Sequence, residues 1–278
     1  MKQNQLIALL VTFTGFASIL RPIIASADAI TLKPTSDFRI LAIDPSHNDS
    51  TVLSVYNDGH GNVQHSILQF DFSSIPVGAT IDSATLTLYI AYANLQQPSG
   101  THSDVYALAH LTDSTANWFQ ASIVVPWTTF GGDVTGAAYA INSDVISGSY
   151  IGEPVSWDVT SLVSAWEVSA QPNYGMLLAA TPGDQLHFYS ATPSLSIIYT
   201  VPAPSLSIMR NNTNLVFSWL TNAQGFTLEF STNLLTGSWS AVTNSAVIMG
   251  ANYFVGFNPT QAQGFFRLKK RPCGLTAR

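Results

Sequence analysis

The residues Ser66–Tyr92 have the sequence SILQFDFSSIPVGATIDSATLTLYIAY, and this stretch decides the fold class. Apolar side chains alternate with mostly polar ones in two runs: Leu68, Phe70 and Phe72, then Leu86, Leu88, Ile90 and Tyr92. Because alternate residues of a strand point to opposite faces, the pattern predicts two strands that each turn one face to a core. Between the runs, Ile75–Gly78 predicts a turn, since proline fixes φ and glycine allows positive φ.

Residues 1–27 are predicted to be a signal peptide and not part of the fold. Leu6–Leu20 is an apolar run that follows Lys2, and Ala25–Ala27 supplies the small residues that a signal peptidase requires. The alternative is a membrane anchor that is not cleaved. We expect cleavage after Ala27 and a secreted protein. Because no later stretch is apolar over a sufficient length, we expect no membrane contact after cleavage.

The rest of the sequence divides at 201–204, where two prolines predict a stiff linker. Residues 28–200 contain about nine or ten short strand-like segments separated by turn residues, which is typical of a sandwich or jelly roll. Residues 205–270 contain shorter segments of the same kind, and 271–278 are predicted to be a flexible tail. We therefore expect an all-β protein, a jelly-roll-type β-sandwich followed by a second, smaller β-sandwich module.

One helix is predicted within the larger module, over Ser161–Val168. Leu162 and Trp166 are four residues apart there and would share one face of the helix. Asp158 or Thr160 would cap its first turn, because their side-chain oxygens can accept from free backbone N–H groups.

Charge is distributed unevenly along the chain. No Lys or Arg occurs between Arg39 and Arg210, although thirteen of the sixteen acidic residues and all six histidines lie there. A nucleic-acid groove would need cations to neutralise phosphates, so this composition excludes nucleic acid as a partner. The single cysteine, Cys273, permits no intrachain disulfide, so packing of the core must stabilise the fold.

Four stretches resemble one family in their order along the chain. They are LQFDFSSIPVGATIDSATLTLYIA at 68–91, NWFQASIVVPWTTFGGDV at 117–134, SWDVTSLVSAWEVSAQPNYGMLLAA at 156–180 and FYSATPSLSIIYT at 188–200. The chain from about residue 30 to 200 thus resembles the DNRLRE domain, which is related to carbohydrate-binding module family 96. The resemblance implies a secreted bacterial jelly-roll sandwich, a frequent companion of polysaccharide-degrading enzymes, with some members that bind alginate-like acidic glycans.

One position of the large module departs from the family's pattern. The family commonly has an arginine before the Phe-Asp pair, and this chain has Gln69 there. Direct pairing of the large module with uronate carboxylates is therefore not expected.

The C-terminal module, with NLVFSWLTNAQGFTLEFSTNLLTGSWSAV at 214–242 and FFRLK at 265–269, is similar to short fibronectin-III or Ig-like repeats.

Candidate ligand-binding residues lie in the longest irregular stretch, 112–138, and just beyond it. They are Trp118, Trp127, Asp133 and Tyr139. Sugars have apolar C–H faces that stack on aromatic rings, and their hydroxyls need amides and carboxylates as partners. Trp127 is the preferred stacking ring. The alternative is that these rings close one end of the sandwich, since aromatic side chains bury large areas.

A metal site is a weaker hypothesis. Asp44, Asp49 and Asp58 are loop carboxylates that lie near one another in sequence, and Ca²⁺ takes hard oxygen ligands from flexible loops. The alternative is that they form Asx turns and caps. The motifs GxSxG, HExxH and CxxC do not occur in the sequence, and the histidines are scattered singly, so we name no catalytic residue.

We therefore expect a secreted, non-catalytic protein whose large module binds extracellular polysaccharide, with a glycan-degrading enzyme as a conceivable partner. Two alternatives stay open: a structural surface or matrix protein without specific glycan binding, and a polysaccharide lyase or other glycan-degrading enzyme. The excess of acids favours neutral glycans. Acidic glycans would need a bridging cation such as Ca²⁺, held by a carboxylate such as Asp133.

Overall fold

The computed structural model describes residues 9–12, 15–16, 27–93, 103–142, 151–180, 184–189, 193–201, 204–221, 225–234, 238–261 and 263–270. Within them the chain is all-β with a single short helix, which confirms the predicted fold class. The predicted tail 271–278, Cys273 and most of the predicted signal peptide lie outside the described residues, as does part of the predicted linker.

The described elements, in chain order, are 23 strands and one helix. The first twelve are β1 (Leu9–Thr12), β2 (Gly15–Phe16), β3 (Ala27–Leu32), β4 (Ser36–Leu41), β5 (Asn48–Asp49), β6 (Val52–Asn57), β7 (Val63–Gln69), β8 (Thr80–Ala93), β9 (Ser103–Ala107), β10 (Gln120–Ser122), β11 (Val125–Pro126) and β12 (Ala140–Asn142). The others are β13 (Pro154–Asp158), α1 (Thr160–Glu167), β14 (Met176–Ala180), β15 (Asp184–Tyr189), β16 (Ser194–Thr200), β17 (Ser207–Asn211), β18 (Asn214–Leu220), β19 (Phe226–Ser231), β20 (Ser240–Ala241), β21 (Val247–Met249), β22 (Asn252–Phe257) and β23 (Gln263–Lys270).

The chain divides into two compact units, which we call the large unit and the small unit. The large unit comprises Ala27–Ile75 and Ala79–Thr200. The small unit comprises Val201–Arg278 together with Met1–Ser26 and Pro76–Gly78. Each unit has strands of its own.

Twelve strands of the large unit form one continuously hydrogen-bonded antiparallel sheet. Nine of them follow one another in the order β12-β9-β14-β7-β6-β15-β8-β16-β3. The remaining three branch from this path, since β13 pairs with β8, and β4 pairs with β7 and β5. The long strand β8 belongs to two parts of the sheet. Its first residues pair with β16 and β13, whereas Ile90–Ala93 pair with β15.

The two strands predicted from Ser66–Tyr92 are β7 and β8. The side chains of Leu86, Leu88 and Ile90 are buried, as the alternation predicted. The first strand ends at Gln69 instead of continuing to Phe72, because the Asp71 carboxylate accepts from the N–H and the hydroxyl of Ser73 and folds the chain into a tight turn. The two strands have different partners: β7 pairs with β4, β6 and β14, and β8 with β13, β15 and β16.

Helix α1 confirms the predicted helix with a shift of one residue, but its N-cap residue is Val159, which makes no side-chain capping bond, and not Asp158 or Thr160 as predicted. Leu162 and Trp166 lie on its buried face together with Val163. The carboxylate of Asp158 accepts from the N–H and the hydroxyl of Thr160, and these bonds hold the pKa of Asp158 below its ordinary value. The Thr160 hydroxyl in turn accepts from the N–H of Ala84, which fixes the start of α1 against β8.

The small unit contains two antiparallel sheets, in the orders β17-β18-β22-β21 and β2-β1-β23-β19-β20. Its core is formed by side chains from β18, β19, β22 and β23: Leu215, Phe217, Trp219, Leu228, Val255, Phe266 and Leu268. Glu229 is a nearly buried acid, and Arg267 neutralises it at 2.6 Å while lying over the ring of Trp239.

Candidate functional site

The segment Leu108–Val134, which we call the cover, packs on the sheet of the large unit. Phe38 and Ile40 of β4, Ile67 of β7 and Leu177 of β14 supply the sheet side of this contact. Four residues supply the cover side: Leu108, Ala116, Ala121 and Trp127. The cover contains the short hairpin β10–β11 and is otherwise irregular. Apolar burial therefore fixes it from below and leaves its other side to solvent.

Trp127, the preferred stacking ring, lies in this contact. Its side chain is 4% exposed, and its indole Nε1–H donates to the carbonyl of Asn117 at 2.9 Å. Its backbone N–H donates to the carbonyl of Phe119. The Trp127 ring therefore offers no free face to a ligand. Its bonds to Asn117 and Phe119 join two parts of the cover that are distant in sequence.

Trp118 is half-buried beside the ring of His65, with the ring centroids 5.2 Å apart. Gly131 lies close to the six-membered ring of Trp118. A Cβ atom added to Gly131 would be 2.7 Å from Cη2 of Trp118. The Gly131 carbonyl accepts from Nδ1 of His65, and so this nitrogen carries the proton. Burial lowers the pKa of His65, although the bond to Gly131 acts in the opposite direction. His65 is therefore neutral, and its ring supports the indole ring of Trp118.

Asp133 closes the loop that follows Trp127. Its two oxygens accept from the backbone N–H groups of Thr128 and Thr129, each at 2.7 Å, and His110 Nε2 lies 3.6 Å away. Desolvation is the largest single effect on this carboxyl and favours the neutral form. The hydrogen bonds and His110 together outweigh it and hold the pKa of Asp133 below its ordinary value. Any cation at Asp133 would have to compete with these backbone donors.

Tyr139 lies beyond the cover and is half-buried. Its hydroxyl donates to Oε1 of Gln171 at 3.1 Å, and its backbone N–H donates to the carbonyl of Val105. The structure therefore ties Tyr139 to the sheet next to the cover. Among the described residues, its hydrogen bonds go to Gln171 and Val105 and not to Trp118, Trp127 or Asp133.

The aromatic faces that reach solvent are those of Phe119 and Phe130. Their side chains are 41% and 62% exposed, and the rings meet edge to face at 5.2 Å. The tip of the hairpin β10–β11 adds Ile123 and Val124, which are 77% and 81% exposed. Sequence reasoning did not select this pair. The one available signal was the sequence Trp118-Phe119, since two adjacent rings seldom face the same side of a chain.

Local turns decide which ring faces outward. The Asn117 side chain accepts from the N–H of Phe119, and the Asp113 side chain accepts from the N–H and hydroxyl of Thr115. The N–H of Trp118 donates to the carbonyl of Pro45, which ties the cover to the loop before β5. These bonds turn Trp118 inward and leave Phe119 at the surface.

The three candidate metal ligands have other partners. Arg39 binds Asp49 at 2.6 Å, and Thr51 donates to the other oxygen of Asp49. His47 pairs with Asp44 at 2.7 Å on the surface, and Asp58 accepts from the backbone of His60 and Asn62. Within the part of the chain that the structure describes, no three His, Cys, Asp or Glu side chains form a group that could hold a metal ion.

No family model and no curated protein matches this sequence. The resemblance to the DNRLRE domain therefore stays a prediction that is based on the four stretches quoted above. Among the described residues, no helix combines the length and the apolar character that a membrane span requires.

Proposed function

We propose that this chain is a secreted, non-catalytic protein whose large unit binds polysaccharide through Phe119 and Phe130. The observation that carries this proposal is the exposed edge-to-face pair that these two rings form on the cover. Contiguous exposed apolar groups on a soluble domain commonly mark an interaction surface. Two adjoining rings match the apolar C–H faces of neighbouring sugar units.

The cover supports such a site because it is held in place before any ligand arrives. Trp127 anchors it from below, and Asp133 fixes Thr128 and Thr129 just before Phe130. A surface that is already ordered loses little conformational entropy on binding, which favours affinity. Both threonines are exposed, and the Thr129 hydroxyl is available to sugar hydroxyls beside the rings, whereas the Thr128 hydroxyl bonds to Asp133.

Charge supports neutral glycans as the ligand class. The interval between Arg39 and Arg210 contains thirteen acids and no Lys or Arg. Arg39 itself is neutralised by Asp49. A polyuronate would meet a weak repulsion at physiological ionic strength, where the Debye length is about 8 Å. An acidic glycan would therefore need a bridging cation such as Ca²⁺.

The test compares binding of the protein to a neutral glucan and to a polyuronate, each with and without chelator. We expect chelator-resistant binding of the glucan, and a loss of up to about tenfold in affinity for each ring that Phe119→Ala or Phe130→Ala removes. Ile198→Ala is the matched control, because Ile198 is an exposed apolar residue on β16. Tight, chelator-resistant binding of the polyuronate alone would refute the proposal, as would unchanged glucan binding by the double phenylalanine variant.

A structural surface or matrix protein is the second candidate function. The burial of Trp127 and the backbone bonds of Asp133 favour it, because both residues serve the packing of the cover. A glycan array on which nothing binds would support this alternative. Release of unsaturated chain ends from the polyuronate would instead establish a lyase.

A further inference from the structure

The loop between β4 and β5 is bonded to the cover. Asn48, the first residue of β5, donates through its side-chain amide to the carbonyl of Ala116 at 2.7 Å. Within the loop, the carbonyl of Pro45 accepts from the N–H of Trp118 at 3.2 Å. Backbone segments that are joined in this way in a sheet lie about 4.8 Å apart. The loop is therefore the immediate neighbour of the segment that carries Phe119.

Backbone bonding continues on the other side of Trp118, whose carbonyl accepts from the N–H of Gly131 at 2.8 Å. Three chain segments are thus joined in the order Pro45, Trp118, Gly131. Phe119 and Phe130 are the sequence neighbours of the second and third of these residues, and their rings form the exposed pair at 5.2 Å. The loop before β5 therefore flanks the segment from which Phe119 projects.

An exposed polar pair lies in this loop, with one member on each side of Pro45. The Asp44 carboxylate and Nδ1 of His47 are 2.7 Å apart, and the two side chains are 59% and 74% exposed. The backbone N–H of His47 also donates to the carbonyl of Asp44, which closes the loop. Because Nδ1 faces a carboxylate, it carries the proton, and Nε2 of the neutral ring is an acceptor. The pair therefore presents carboxylate oxygens and an imidazole nitrogen that can accept hydrogen bonds.

We infer that Asp44 and His47 form the polar side of the sugar site on Phe119 and Phe130, and that they select glycans with unsubstituted hydroxyl groups. This inference rests on the proposed function. The rings take the apolar C–H face of a sugar unit, and the polar pair accepts from hydroxyls at the edge of the same unit. Hydrogen bonds to a carboxylate are shorter and stronger than those between neutral groups. A uronate is disfavoured there, because its carboxylate has the same charge as Asp44.

The test compares a soluble neutral glucan with the O-methylated form of the same glucan. Methylation removes the hydroxyl donors and keeps the apolar faces of the sugar units. We expect the full chain to bind the unmodified glucan at least about tenfold more tightly than the methylated one. Asp44→Asn with His47→Ala should remove most of this preference. Phe119→Ala with Phe130→Ala should instead weaken the binding of both forms by a similar factor.

Asp58→Asn with His60→Ala is the matched control, because these residues are an acid and a histidine in the loop between β6 and β7, joined by a hydrogen bond. This variant makes the same chemical change and should keep the preference for the unmodified glucan. If the preference survived Asp44→Asn with His47→Ala, the inference would be overturned and the proposed function would stand. Glucan binding that resists the double phenylalanine variant would refute the proposed function, and with it the site to which the pair is assigned. A protein that binds neither form would refute both.

Discussion

Aromatic side chains are arranged differently in the cover of the large unit and in the core of the small unit. In the small unit they pack on one another inside, with Phe217 and Phe266 at 4.2 Å and Phe257 in contact with both Phe230 and Phe266 at 5.0 Å. In the cover, Trp127 is inside, whereas Phe119 and Phe130 pair at the surface.

The difference follows from the number of packed faces. The small unit has two sheets with a core between them, so inward-facing rings from its strands meet other rings. The cover is a single irregular layer on a sheet, so rings on one side meet the core and rings on the other side meet solvent. Aromatic content alone therefore does not distinguish a core from a binding surface. The distinction depends on whether the layer that carries the rings lies against another layer or faces solvent.

The largest effect expected from this comparison is the cost of removing a buried ring. Trp127→Ala should lower the free energy of unfolding of the large unit by about 3–5 kcal/mol, and Phe217→Ala should do the same for the small unit. Denaturant titration with hydrogen exchange would locate each loss. Phe130→Ala is the control and should change stability by about 0.5 kcal/mol or less. If it cost as much as Trp127→Ala, the surface pair would be a packing element.

A smaller effect is expected at the glycine that adjoins Trp118. Gly131 has φ of +91°, and a Cβ there would meet the Trp118 ring. Gly131→Ala should destabilise the large unit by about 1–3 kcal/mol. Gly136 has φ of +74° and open space around it, so Gly136→Ala isolates the backbone contribution. Equal losses in thermal unfolding would show that Trp118 moves freely and does not support the cover.

The smallest effect is a pH dependence that arises from His65. Because burial lowers its pKa in the folded state, the unfolded chain takes up the proton first as the pH falls below 6.5. The contribution of His65 to the free energy of unfolding is therefore fully present above pH 6.5. Below pH 6.5 it falls by up to about 1.4 kcal/mol per pH unit. His65→Gln should remove this decline, whereas exposed His47→Gln should retain it. A profile unaffected by His65→Gln would contradict a lowered pKa for this half-buried histidine beside Trp118.

The parts of the fold that could be predicted are those with a period. Leu86, Leu88 and Ile90 alternate and are buried in β8, and Leu162 and Trp166 are a helical turn apart on the buried face of α1. The end of β7 could not be predicted, because a local bond between Asp71 and Ser73 ends a pattern that continues to Phe72.

The candidate site was less predictable for the same physical reason. The cover has no period, so nothing in the order Trp118-Phe119 states which ring is inside. Its orientation depends on bonds to distant residues, such as Trp118 to Pro45 and His65 to Gly131. Asp44 and Asp58 lie outside strands, as predicted, but Asp49 lies in β5, and its partner Arg39 is on the neighbouring strand β4.

The first and last strands of the large unit lie side by side, and this arrangement determines its response to force. Strand β3 pairs antiparallel with β16, and Ala27 is directly opposite Thr200. The chain therefore enters and leaves the large unit at neighbouring points. Tension applied between these two points would open the pair like a zipper, one hydrogen bond at a time, instead of shearing the whole ladder at once. The same proximity makes the unit suitable for circular permutation, with new ends in an exposed loop.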